Sequence, residues 1–185
     1  MSTEPTVADG VVTQDEAGKH VIHFERRLGH PVENVWAALT ERDQLIKWWG
    51  AAEVELVEGG GFKLRWLNTD DEGNAVKMDA RITELEPPRV LEIDGSWYTE
   101  SPEGEQLEET RASLRWELEP DRDSTVLRFW NMLELTEEER TMVPAGWHFH
   151  LDALATALDG GSVDLTNPQG WEPIHEAYAE RDSAN

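Results

Sequence analysis

The sequence predicts an α+β fold: a curved antiparallel sheet of about six or seven strands wrapped around one long C-terminal helix, with two short helices after the first strand. Three observations lead there. Apolar residues recur with a period of two from about residue 51 to residue 133. They recur at helical spacing from Pro144 to Asp159. Turn chemistry separates the strand-like runs, as in Gly59-Gly60-Gly61, Asp70-Asp71-Glu72-Gly73, Pro87-Pro88, Ser101-Pro102-Glu103-Gly104 and Pro120-Asp121.

Taken in order, residues 1–18 read as a disordered acidic leader without an apolar run, so neither a signal peptide nor a transit peptide. A first strand spans about Lys19 to Leu28 and stops at Gly29-His30-Pro31. Pro31 suits a first helical turn, after which Val32, Val35, Trp36 and Leu39 share a face. A second short helix, about Arg42 to Trp49, carries Leu45, Trp48 and Trp49 and ends at Gly50. Three strands then present one apolar and one charged face: Phe62, Leu64 and Trp66; Val76, Met78, Ala80 and Ile82; Ala112, Leu114, Trp116 and Leu118. Thr125 to Leu133 is apolar on both faces apart from Arg128 and Asn131, which places it centrally or against something extra. Thr136 and Glu139 have capping-box spacing, and Pro144 is expected to separate that turn from the main helix. On that helix Trp147, Leu151, Leu154 and Leu158 form one stripe facing the sheet. Residues 161–185 hold Trp171, Ile174 and Tyr178 and are expected to pack back on the domain at 19–160.

Composition narrows function. The 185 residues include 16 basic and 39 acidic ones, a net charge of -23, spread along the chain. Nucleic acid and anionic membranes are disfavoured as partners, because phosphate binding needs clustered Lys and Arg. No cysteine is present, which excludes thiolate chemistry and Cys-type zinc sites. No stretch has the roughly 18 apolar residues that span a bilayer, and a cytoplasmic location is expected. Nine tryptophans supply much of the apolar bulk.

The segment from Phe24 to Gly50 resembles the opening of the activator of Hsp90 ATPase homologue-like domain, within the START-like, Bet v 1-like (SRPBCC) superfamily. The match is carried by Pro31, Val35 and Trp36, by Leu39-Thr40, and by Trp48-Trp49-Gly50. Further on, Gly146-Trp147 with Leu151, Leu154 and Leu158 resembles the family's Gly-Trp helix. The resemblance implies a helix-grip fold with a cavity between helix and sheet. Its members hold lipids, sterols or polyketides, and some act as cyclases or aromatases. An Hsp90-type chaperone is disfavoured as a partner, since only the leader stands where the namesake co-chaperone has its other domain.

The residues expected to line the pocket are Trp66, Met78, Trp97, Trp116, Trp130, Trp147, His150, Leu151 and Leu154. Indole rings and an adaptable Met suit a flat apolar ligand, although each ring on its own is more simply read as core. His150 lies about 60° from Trp147 on the helical wheel and so borders the same space. Arg115 or Arg128 would add a polar end if their strands turned them inward. His148 and His150 are about 200° apart on a helix, which disfavours a shared metal ion. His175-Glu176 lacks the second His of a zinc-protease motif, and Gly59-Gly60-Gly61 lacks the Lys-Ser/Thr of a phosphate loop. No cofactor and no catalytic residue are assigned. The reading is therefore a small-molecule-binding protein, with a homodimer left open. A stress-linked co-chaperone-like interaction protein and a polyketide cyclase-type enzyme using His150 are the alternatives.

Overall fold

A computed structural model describes residues 9–167 and 170–183. Its eight strands are β1 (Val11–Gln14), β2 (His20–Leu28), β3 (Ala51–Val54), β4 (Gly61–Thr69), β5 (Ala75–Glu86), β6 (Val90–Glu100), β7 (Gln106–Asp121) and β8 (Ser124–Leu133). The helices are α1 (Val32–Thr40), α2 (Arg42–Leu45), α3 (Glu139–Leu158) and α4 (Glu172–Ser183). The strands form one sheet in the order β1-β2-β8-β7-β6-β5-β4-β3, with every pairing antiparallel.

The alternation read from sequence sets the faces. Phe62 and Leu64 on β4, Met78, Ala80 and Ile82 on β5, Leu91 and Ile93 on β6, Leu114, Trp116 and Leu118 on β7, and Leu127 and Phe129 on β8 all turn into one core. Trp147, Ala153, Leu151 and Leu154 of α3 meet them there. Ala80, Gly95 and Ala112 stand opposite one another across β5, β6 and β7. A Cβ on Gly95 would come 2.2 Å from the Asp79 carbonyl oxygen. That row of small residues gives the inner face room to bend around the helix.

Two differences from the sequence expectation concern the ends. β1 lies inside the segment read as a disordered leader and pairs Val11 with His23 through Gln14 with His20. Its four residues are too few to stand out from their acidic neighbours; residues 1–8 lie outside the described chain. It also brings the strand count to eight. The capping box forms, the Thr136 amide donating to Glu139 Oε2 at 2.8 Å and the Glu139 amide to Thr136 Oγ1 at 3.3 Å. Pro144 does not split the helix, however: α3 is continuous through it. A proline there removes one bond to the carbonyl of Arg140, which lies in the exposed first turn and can turn to water instead.

The outer face of the sheet is ionic. Arg115 donates to Glu84 at 2.6 Å, Glu92 at 2.8 Å and Glu117 at 2.8 Å, and these bonds hold its pKa above the ordinary guanidinium value. Arg128 pairs with Glu25 and Glu119, both at 2.8 Å. Neither arginine turns toward the interior. No described helix is long and apolar enough to cross a membrane.

Candidate functional site

Where an open cavity is expected beneath α3, the interior is filled by rings. Trp49 is 1% exposed and sits at the centre. Its ring centroid lies 5.3 Å from that of Trp147, 5.4 Å from Trp48, 5.5 Å from Trp116 and 6.0 Å from Trp66. Phe129 closes against Trp147 at 4.3 Å. The indole N–H of Trp48 donates to the Ala38 carbonyl at 2.8 Å, fixing that ring under α1. The N–H of Trp147 donates to Asn131 Oδ1 at 3.1 Å, so one buried asparagine anchors α3 to β8. The motif Trp48-Trp49 therefore supplies a plug, not a pocket wall.

This filling sorts the expected pocket residues. Met78, Trp116, Leu151 and Leu154 are at most 2% exposed and belong to the packed core. Trp130 lies elsewhere: Leu127, Phe129 and Asn131 take the inward positions of β8, and Trp130 stands on the outer face, stacked on His23 at 4.7 Å. Trp66, Trp97, Trp147 and His150 do come together, at the mouth of the space between α3 and the ends of β4, β5 and β6. They line an apolar groove of about 260 Å³, completed by Val76, Val143 and Trp171. Trp171 carries no sequence signal for this place, because it arrives from beyond the domain as read.

His150 is a bracket in this wall. Its Nδ1 lies 2.8 Å from the Trp48 carbonyl oxygen, which can only accept, so Nδ1 carries the proton. Its Nε2 then accepts from the Trp66 indole N–H at 3.1 Å. One imidazole thus ties α3 to the end of the α2 segment and to β4. Burial lowers its pKa to about 4, against a smaller opposing pull from the Trp48 carbonyl. Both nitrogens are engaged in these bonds.

Not every indole is satisfied. Among the described residues, the buried N–H groups of Trp49, Trp97 and Trp116 have no acceptor. Trp97 lines the groove itself, and Trp49 touches Trp66 behind it. A buried donor without a partner costs about 1–3 kcal/mol. The described residues contain no group of three or more His, Asp or Glu side chains placed to hold a metal ion.

A long helix enclosed by a curved antiparallel sheet, with paired short helices after the first long strand, defines a protein of the helix-grip class. The chain belongs to the family described as activator of Hsp90 ATPase homolog 1-like proteins, whose model matches residues 29–159. Among solved structures it is similar to CalU16 from Micromonospora echinospora, with 24% identity over 95% of this chain and 94% of that one, at a TM-score of 0.63. It is also similar to EF2215 from Enterococcus faecalis, a conserved protein of unknown function, with 17% identity over 95% and 91% and a TM-score of 0.66. DynU16, a protein of the dynemicin biosynthetic locus, shares 20% identity over 77% of this chain and 48% of its own, at a TM-score of 0.61. No curated protein sequence matches the chain.

Proposed function

We propose that this protein binds a small, flat, apolar molecule carrying a neutral hydrogen-bond acceptor, and that it catalyses no reaction at that site. The observation that carries the reading is the groove of about 260 Å³ walled by the rings of Trp66, Trp97, Trp147 and Trp171, one of which, Trp97, keeps a buried N–H without an acceptor. Indole walls favour planar ligands. The volume suits two fused rings better than a lipid or sterol. An acceptor oxygen that displaced the side chains covering the Trp97 N–H would supply the hydrogen bond it lacks, whereas a carboxylate would face an apolar lining in a protein of net charge -23. The location of DynU16 in the dynemicin biosynthetic locus is consistent with such a ligand. The engaged nitrogens of His150 speak against the cyclase reading. The filled interior beneath α3 favours, as a second reading, a co-chaperone-like interaction protein whose groove receives a partner's side chain.

Three neutral or charged two-ring probes test this. Acetylnaphthalene is expected to bind with a dissociation constant of tens of micromolar, about -6 kcal/mol. Ethylnaphthalene, which lacks the carbonyl, should bind about ten-fold more weakly, the worth of one hydrogen bond, and naphthoate more weakly still. Trp97→Phe should erase the difference between the first two. If none of the three changes tryptophan emission or the melting temperature, the binding reading fails and the interaction reading replaces it.

A further inference from the structure

The family domain ends at residue 159, yet one wall of the groove comes from residue 171. Trp171 lies beside Gly146, where a Cβ would come 3.9 Å from its Nε1. Its ring stacks on His175 at 4.6 Å with planes 13° apart, and His175 Nε2 is 3.2 Å from Thr141 Oγ1 of α3. One turn further along, the Tyr178 hydroxyl meets His148 Nδ1 at 3.2 Å. Tyr178 is the buried residue of α4, while Glu172, Pro173, Glu176, Glu180, Asp182 and Ser183 are exposed. So α4 holds Trp171 against the groove with few apolar contacts, and segments held that way open at low free energy.

We propose that residues 170–183 are a specificity element appended to the family domain: Trp171 limits the length of the ligand and slows its release, with Tyr178 and His175 positioning it. This rests on the binding reading above. Trp66, Trp97 and Trp147 would hold the ligand's faces, and Trp171 would close the remaining side. Met142 and Val143 of α3 line the groove together with Trp171, so without that ring the groove would lengthen along α3 and admit a three-ring molecule.

The test compares acetylnaphthalene with the longer acetylanthracene, by stopped-flow tryptophan quenching, on the full chain. Wild type should prefer the two-ring probe. Trp171→Ala should release acetylnaphthalene about ten-fold faster and bind acetylanthracene at least as well. Tyr178→Phe, which keeps the ring but loses the hydroxyl, should speed release by a smaller factor with the same preference. Trp171→Leu serves if the alanine variant does not fold. A purely structural role for the segment would lower the melting temperature and leave the two-ring to three-ring preference unchanged, and that result would overturn the proposal while leaving the binding reading intact. Failure of wild type to bind either probe would overturn both.

Discussion

Replacing His150 by Phe probes the bracket that joins α3, the α2 segment and β4. At pH 7.5 the imidazole is neutral and makes both bonds, to the Trp48 carbonyl and from the Trp66 indole. The variant leaves those two groups unpaired, at a cost of about 1–3 kcal/mol for each. The pH dependence is the sharper test. In the unfolded chain the imidazole titrates at its ordinary 6.5; in the folded protein it titrates at about 4. The unfolded state therefore takes up more protons as pH falls, and stability is lost between those two values. From 6.5 and about 4, the loss between pH 7.5 and pH 5 is about 2 kcal/mol. The contribution is fully present above pH 6.5 and gone below pH 4. Urea unfolding of wild type and His150→Phe at both pH values isolates it, because the carboxylates common to both proteins cancel in the difference. The stability gap between the two proteins should shrink by about 2 kcal/mol on acidification. A gap that stays constant, or an imidazole that titrates near 6.5 by NMR, would refute the bracket.

Two further substitutions separate core from surface. Leu151→Ala should cost about 2–5 kcal/mol in urea unfolding, because that side chain is 1% exposed among packed rings; a loss below 1 kcal/mol would mean that it borders empty space. Trp130→Ala should cost less than Leu151→Ala and leave acetylnaphthalene affinity unchanged, since its ring lies on the outer face against His23; weakened probe binding would contradict that placement.

Local signals carried most of the fold. Pro31 with Val35 and Trp36, the Thr136–Glu139 box and the Trp147–Leu151–Leu154 stripe are each set by residues a few positions apart. The strands with one charged face fixed their own phase. β8 did not, because Val126, Phe129, Trp130 and Met132 offer apolar side chains to both sides, so only pairing with β2 and β7 decides that Trp130 faces out. The site was half legible for the same reason. His150 could be placed near Trp147 from the helical wheel, but its partners Trp48 and Trp66 are 102 and 84 residues away. Whether rings leave a cavity or fill it depends on how they tilt against one another, and neither spacing nor composition encodes that. Trp171 was unreadable because its role depends on where α4 docks.

The ring cluster has one more consequence. Trp48, Trp49, Trp66, Trp97, Trp116 and Trp147 form a connected chain with neighbouring centroids 5.3 to 6.3 Å apart. At such separations excited indoles hand their energy to one another before they emit. The six rings then behave as a single light-gathering antenna that drains to whichever member lies lowest in energy. A quencher seated against Trp66 or Trp97 at the groove would darken the buried rings as well as the one it touches. The protein's own emission would thereby amplify the signal of such a quencher.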